Sequence, residues 1–145
     1  MRLLPRLTPV LLVAAVLAAM PAHAQSQAEL GSLKIAIDLV DRGKGAEALA
    51  TAAEFKDPAA RDLVTWLALR TDARAVGFDK ANAFLRDNAD WPSATTLLRR
   101  RAEQLLFDEK RDARTVRAFF GKERPVSGEG KLALARAHGT KARIS

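Results

Sequence analysis

Residues 84–93 (FLRDNADWPS) and the run 97–103 (LLRRRAE) predict a helix, a tight corner and a second helix. Asn88 and the segment Asp90-Trp91-Pro92 are expected to end the first helix, because the residue before a proline is disfavoured in the α region. Pro92 suits the first turn of the second helix, where its missing N–H has no partner to lose. A helix–corner–helix unit of this kind is typical of α-helical repeats.

The rest of the chain after residue 24 also favours helices, because it is rich in Ala, Leu and Arg and its β-branched residues rarely cluster. Apolar spacing and capping residues predict about six to seven helices: 29–42, closed by Gly43; 45–54; a helix opened by Asp57 and Pro58; 78–88; 92–107; a helix from Asp112 to Gly121; and one beginning with 130–137. Residues 139–145 lose the apolar spacing and are expected to form an irregular tail.

These helices recur with a period. First helices of successive pairs start near Gly45, Gly77 and Asp112, and second helices start near Pro58, Pro92 and Pro125. Steps of roughly 32 to 35 residues match one helix–turn–helix repeat of tetratricopeptide type, although the consensus residues of that repeat are poorly matched. We therefore expect an all-α fold, a superhelix or solenoid of helix pairs over residues 25–138, with tetratricopeptide-like architecture.

Residues 1–24 have the three parts of a secretory signal peptide. Arg2 and Arg6 precede an apolar run over 7–19, and Ala22-His23-Ala24 supplies the small residues of a cleavage site. The run is shorter than the about 20 apolar residues of a membrane-spanning helix, and no cysteine is present to carry a lipid. We expect cleavage after Ala24, no stable membrane anchor afterwards, and a periplasmic protein.

The composition argues against a metal or cofactor. Cleavage leaves 121 of the 145 residues, with His138 as the remaining histidine and no cysteine. One histidine without a close acidic cluster gives no zinc or iron site, so we expect no metal, no cofactor and no disulfide. Packing alone must then stabilise the fold.

Four segments resemble the amino-terminal helical region of the soluble lytic murein transglycosylases, periplasmic enzymes that cleave peptidoglycan glycan strands. The matching segments cover most of residues 49–137 and are Asp57-Pro58 with Asp62-Leu63-Val64 and Trp66; Phe84-Leu85 through Asp90-Trp91-Pro92; 98–103 (LRRRAE); and 125–137 (PVSGEGKLALARA). The resemblance implies a superhelical scaffold. In that family a separate lysozyme-like domain cleaves the glycan, using one glutamate as acid and then base to release a 1,6-anhydro sugar.

We expect no catalytic domain of that kind within these 145 residues. The family motif is a glutamate followed by serine, with a Gly-Leu-Met-Gln run downstream, and neither occurs here. We transfer no catalytic residue and expect the chain alone to be no enzyme. Its glutamates are expected to be solvated charges on helix surfaces or in turns: Glu29, Glu47, Glu54, Glu103, Glu109, Glu123 and Glu129. The ending at Ser145 is typical of a truncated or frame-shifted gene, and a natural short protein is the alternative.

The charge suggests a polyanionic partner. Without Arg2 and Arg6 the 24 basic residues fall to 22 against 17 acidic ones, a net charge of +5. A candidate patch that could bind the cell wall comprises Arg99, Arg100, Arg111, Arg114 and Arg117. The interpretation that we favour is a solvated helix face on which Arg99 and Glu103 form a weak pair. Export argues against nucleic acid as the partner.

The two tryptophans have two interpretations. Exposed indoles stack on sugar rings, but Trp66 shares a helical stripe with Leu63 and Leu67, and Trp91 lies at the corner between two helices. We therefore expect both to pack between helices.

We expect a non-catalytic scaffold segment of a lytic transglycosylase-like protein that binds peptidoglycan glycan strands during turnover. The alternative is a free-standing periplasmic helical-repeat adaptor for a protein or peptide. A small enzyme of unrecognised chemistry is a third, weaker interpretation, because no His, Cys or paired-carboxylate arrangement supports it.

Overall fold

The structure is a computed structural model that describes the backbone of residues 22–142 and the side chains of residues 26–139. Every regular element in that range is helical, which confirms the all-α prediction. Eight α-helices and one π-helical turn follow in chain order: α1 (Ala22–Asp41), α2 (Gly45–Ala53), α3 (Pro58–Thr71), α4 (Ala73–Val76), α5 (Phe78–Asp87), the π-helical turn (Ala94–Leu98), α6 (Arg99–Asp108), α7 (Ala113–Phe120) and α8 (Gly128–Ala142). Within this range no helix is long and apolar enough to cross a bilayer.

Most of the predicted signal peptide and part of the predicted tail lie beyond this range. Residues 1–21 of the predicted signal peptide and residues 143–145 of the predicted tail lie outside the described residues. Residues 22–24 form the first residues of α1.

The predicted capping residues are confirmed at α3 and α7. The Asp57 carboxylate accepts a hydrogen bond from the Ala59 N–H at 2.9 Å, and Pro58 stands in the first turn of α3. Asp112 accepts from the N–H groups of Arg114 and Thr115 at 2.9 and 3.0 Å. Each aspartate satisfies backbone donors that have no partner inside the helix, so the local sequence alone fixes these two starts.

Glycines end two of the helices, as predicted. Gly43 follows α1 with φ +74°, and Gly121 follows α7 with φ +56°. Residues that carry a side chain rarely adopt these positive φ angles, whereas glycine adopts them without steric cost.

The corner between α5 and α6 differs from the prediction. Asn88 ends α5 as expected, but the second helix does not begin at Pro92. Pro92 and Ser93 lie in a turn, with Ser93 in the left-handed region at φ +63°, and the π-helical turn precedes α6. The Pro92 carbonyl accepts a hydrogen bond from the Trp66 indole N–H at 3.0 Å, so a tertiary contact holds the proline outside the helix.

Three further elements differ from the prediction. α1 begins at Ala22 and not at residue 29. The four-residue α4 was not predicted, because four residues show no periodicity. α8 begins at Gly128 and continues to Ala142, so residues 139–142 are helical although an irregular tail was expected there. The Ser127 hydroxyl starts this helix two residues earlier by accepting the Gly130 N–H at 2.9 Å.

Helices neighbouring in sequence pack against one another around a single hydrophobic core. α1 contacts α2 and α3, α5 contacts α3 and α6, and α8 contacts α6 and α7. Many helix contacts are made by fully buried alanines: Ala36, Ala48, Ala68, Ala81 and Ala102. Small side chains let the helices approach closely, while Phe78, Leu69, Leu98 and Leu106 fill the remaining volume.

The Asp112 cap gives a prediction on pH. Hydrogen bonds from the Thr115 hydroxyl, at 2.6 Å, and from backbone N–H groups lower the pKa of Asp112 below its ordinary value of 3.8. A carboxyl group whose pKa is lower in the folded state stabilises the fold fully above its ordinary pKa, and this contribution is lost as the pH falls through the folded value. We expect Thr115→Val to raise the Asp112 pKa toward 3.8, because the first of these donors is removed.

Carboxyl titration by NMR measures this shift directly, and urea unfolding between about pH 5 and pH 2 measures its effect on stability. Thr65→Val is the matched control, because the Thr65 hydroxyl donates to the Arg61 carbonyl and not to a carboxylate. An unchanged Asp112 pKa in Thr115→Val would contradict the prediction.

Candidate functional site

The junction of α6 and α8 is built around a buried carboxylate. Glu103 on α6 has no exposed surface, although the sequence predicted a solvated charge. Its oxygens accept hydrogen bonds from the Val126 N–H at 3.0 and 3.1 Å, from the Ser127 N–H at 2.8 Å and from the Ser127 hydroxyl at 2.5 Å. The prediction was wrong for Glu103, because these donors replace the water that the carboxylate loses.

The donors to Glu103 come from the amino-terminal end of α8. The Ser127 hydroxyl oxygen caps α8 by accepting a hydrogen bond from the Gly130 N–H. The same hydroxyl donates a hydrogen bond to the Glu103 carboxylate. The positive end of the helix dipole lies here, and it favours a nearby negative charge. Glu103 therefore fastens α8 to α6 through charge-assisted hydrogen bonds, which are stronger than neutral ones. We call this arrangement of Glu103, Val126, Ser127 and Gly130 the carboxylate latch.

Gly130 leaves the space that the latch needs. A Cβ atom built on Gly130 would collide with the Glu103 carboxylate. The backbone of the first turn of α8 therefore lies directly against the carboxylate, an approach that glycine alone permits without displacing it. The segment 125–130 (PVSGEG) thus supplies both the donors and the clearance.

Arg99, the first residue of the predicted patch, also belongs to the interior. Its side chain is 16% exposed and forms ion pairs with Glu103 at 3.5 Å and Glu123 at 2.9 Å. Its guanidinium lies 4.1 Å from the centroid of the Phe119 ring, a cation–π contact that fastens α7 to α6.

Arg111 holds the opposite end of α6 in a similar way. It donates to both carboxylate oxygens of Asp79, at 2.7 and 3.0 Å, and its guanidinium lies 5.1 Å from the Phe78 ring centroid. The hydrogen bond to Asp79 is the largest cause that raises the pKa of Arg111. Phe78 in turn meets Phe119 edge to face, with ring centroids 5.4 Å apart. Arg99 and Arg111 are thus linked through two aromatic rings.

Of the other three arginines of the patch, one bonds to a neighbouring helix and two are exposed to solvent. Arg117 donates to the Ala137 carbonyl at 2.8 Å and fastens α7 to α8. Arg100 and Arg114 are exposed, on α6 and α7 respectively. Three of the five arginines therefore hold helices together, and two face solvent.

The tryptophans pack between helices, as predicted. The Trp66 and Trp91 ring centroids lie 6.1 Å apart, and Trp91 meets Phe84 edge to face at 5.5 Å. Both indoles are partly buried against the core. Arg70 lies over the Trp66 ring, with its guanidinium 4.5 Å from the ring centroid.

Charge is divided unevenly along the chain. Residues 99–142 contain 12 Lys and Arg against 6 Asp and Glu, whereas residues 26–98 contain 9 against 11. The helices α6 to α8 are thus a basic unit and α1 to α5 a slightly acidic one. This division was visible in the sequence, but the patch hypothesis concentrated on a few arginines and missed it.

The chemical capacity of the junction follows from its geometry. The Glu103 carboxylate is enclosed by donors, and the Ser127 hydroxyl both donates and accepts within the latch. Both groups are therefore committed to structure. His138 is exposed on α8, and no group of three or more His, Asp or Glu residues within 26–139 is arranged to hold a metal ion.

The fold defines a class, an all-α protein of sequential, mutually packed helices with a basic carboxy-terminal unit. Beyond that class, no family model, curated protein or solved structure matches this chain.

Proposed function

We propose that this chain is a non-catalytic scaffold segment of a periplasmic, lytic transglycosylase-like protein that binds peptidoglycan during its turnover. One observation carries the proposal: the segments that resemble that family supply the contacts between the helices. The Asp57 N–H donates to Glu29 of α1, the Trp66 indole N–H donates to the Pro92 carbonyl, and Glu103 accepts from the Ser127 N–H. If these segments are shared with that family because they maintain the same helical scaffold, they are expected to lie at contacts between helices.

We also propose the architecture of this scaffold, a solenoid of helix pairs. The first helices α2, α5 and α7 begin at Gly45, Phe78 and Ala113, which are 33 and 35 residues apart. Contacts of α3 with α5 and of α6 with α8 join successive pairs. This order of contacts supports stacking in which each pair buries its apolar face against its neighbours.

The proposed ligand is the glycan strand with its attached peptides, whose carboxylates attract a basic surface. The unit α6–α8 supplies that surface, and Arg100 and Arg114 are the members of the predicted patch that face outward. Export and cleavage after Ala24 would place the chain in the periplasm. The bond-breaking step is assigned to a separate catalytic domain.

We expect the purified chain to sediment with purified sacculi at low salt and to be released at high salt. The double variant Arg100→Gln/Arg114→Gln should reduce the bound fraction severalfold, because it removes two exposed positive charges from the basic unit. The matched control is Arg42→Gln/Arg86→Gln, which changes the net charge equally but alters exposed side chains in the acidic half.

Three results would contradict the proposal. No retention of the wild-type chain at low salt would exclude wall binding, and equal losses in both double variants would exclude the basic unit as the binding surface. Release of anhydro-muropeptides from peptidoglycan by the pure chain would contradict its non-catalytic role.

A second candidate function, a free-standing adaptor, is favoured by one observation. A groove with a volume of about 420 Å³ lies between α1 and the end of α2. Both apolar and charged side chains line it, among them Phe55, Glu54 and Lys56. Such a groove suits an extended peptide. Retention of a periplasmic protein by the chain, without retention by sacculi, would favour the adaptor.

A further inference from the structure

Large apolar side chains are exposed at the two ends of the helical array. Among residues 26–139, the exposed large hydrophobic side chains are Leu30, Ile35, Val126 and Leu132. The first two belong to α1, which packs on α2 and α3, and the other two lie at or just before α8, which packs on α6 and α7. The ends of a helical array are where apolar faces lack a neighbour.

The first end carries a groove between α1 and the start of α3. Its volume is about 310 Å³ and its surface is mainly apolar. The residues that line it are Leu30, Leu33 and Ala60, together with Ser26, Glu29 and Asp57. Glu29 accepts a hydrogen bond from the Asp57 N–H at 2.9 Å, which fixes α1 relative to α3. Two carboxylates therefore stand beside an apolar groove of fixed shape.

The second end carries a ridge on α8. Gly128, Leu132, Ala135 and Gly139 are all exposed, and their spacing of four, three and four residues places them on one face of the helix. Leu132, which is 58% exposed, is the one large side chain of this face. Exposed Lys131 and Arg136 flank it. The face is thus a leucine with small neighbours, bordered by two basic residues and by Glu129.

We propose that the α8 ridge of one copy of this chain inserts into the α1–α3 groove of a second copy. The shapes match, because Leu132 projects between small residues and the groove is concave and apolar. The charges match, because Lys131 and Arg136 border the ridge while Glu29 and Asp57 line the groove. Residues 99–142 have an excess of basic residues and residues 26–98 an excess of acidic ones. This difference also favours attraction between the α8 end of one copy and the α1 end of another.

The contact joins unlike surfaces, so each copy keeps one unoccupied end and can bind a further copy. Contacts of this kind produce open chains or rings instead of closed two-fold dimers. The proposal depends on the packing and charge of the two ends, and it holds whether or not the chain binds peptidoglycan.

Light scattering after size-exclusion chromatography tests it on the purified chain. The mean mass of the wild type should rise above the monomer between micromolar and millimolar concentrations, and the rise should be smaller at high salt. Leu30→Lys and Leu132→Asp should each weaken association at least about tenfold, because each places a charge of the wrong sign in the contact. Ile35→Lys is the matched control, since Ile35 is 59% exposed and does not line the groove.

Mixing the two variants gives the sharpest result. Leu30→Lys keeps an intact ridge and Leu132→Asp keeps an intact groove, so a one-to-one mixture should regain the association that each variant alone has lost. The contact between the altered ridge and the altered groove would also pair opposite charges. Circular dichroism of each variant checks that both remain folded. A wild type that stays monomeric, a mixture that stays monomeric, or a loss of association in Ile35→Lys equal to that in Leu30→Lys would overturn the proposal.

Discussion

Replacing Glu103 by alanine is expected to lower the free energy of unfolding by about 3–5 kcal/mol, the usual cost of breaking a buried charged pair. The variant would leave the N–H groups of Val126 and of buried Ser127 without their acceptor and would remove one of the two carboxylates near Arg99. Because folded domains are stable by about 5–15 kcal/mol, this loss is a large share of the total. Urea unfolding measures it.

Hydrogen exchange locates the same effect. The carboxylate latch joins α8 to α6, so amides of α8 should lose more protection in Glu103→Ala than amides of α1 to α3. Gly130→Ala should loosen the same helix, because its Cβ would displace the Glu103 carboxylate.

Two variants serve as controls for the latch. Glu103→Gln keeps the shape but replaces one acceptor by a donor, so a smaller loss of about 1–3 kcal/mol is expected. Glu47→Ala removes a glutamate whose side chain is 61% exposed and should change stability by less than about 0.5 kcal/mol. A Glu103→Ala variant as stable as Glu47→Ala would contradict the role assigned to the latch.

The second large effect is expected at Trp91. Replacing it by alanine should lower the free energy of unfolding by about 3 kcal/mol, at the lower end of the range for large aromatic core residues because Trp91 is partly exposed. The substitution removes the ring that lies between Trp66 and Phe84 and leaves a cavity at the α5–α6 corner. Thermal and urea unfolding measure the loss.

Trp66→Phe separates packing from hydrogen bonding at the same corner. It keeps an aromatic ring but removes the indole donor to the Pro92 carbonyl, so a loss of about 1 kcal/mol is expected. Tryptophan fluorescence of Trp66→Phe then reports on Trp91 alone. An emission maximum typical of a fully solvated indole, or a negligible loss in Trp91→Ala, would contradict the packing role.

Helix starts and ends fixed by a single residue could be predicted from the sequence. Asp57 and Asp112 bond to N–H groups two or three residues away, so the residues that decide these starts lie within one turn. Gly43 and Gly121 end their helices for an equally local reason, the positive φ that each adopts. Pro92 was assigned wrongly, because its position depends on a hydrogen bond from Trp66, 26 residues away.

The roles of charged side chains could be predicted less well. The sequence predicted that Arg99 and Glu103, one helical turn apart, form an ordinary ion pair on the surface. Most pairs with this spacing are exposed to solvent. Their burial depends on Ser127, 24 residues later, and on Phe119, which comes from another helix. Arg111 and Arg117 similarly bond to Asp79 and to the Ala137 carbonyl. No local pattern carries information about partners so distant in the chain.

The order of residues was enough to predict that the described part of this protein is helical, where its capped helices begin, and that its tryptophans pack between helices. Helix formation and capping depend on interactions within about four residues, which the order of residues specifies directly. The tertiary structure alone decided which charges are buried, where the α5–α6 corner turns, and which faces of α1 and α8 are left uncovered. Burial depends on neighbours from other helices, and these are defined only when the helices have packed.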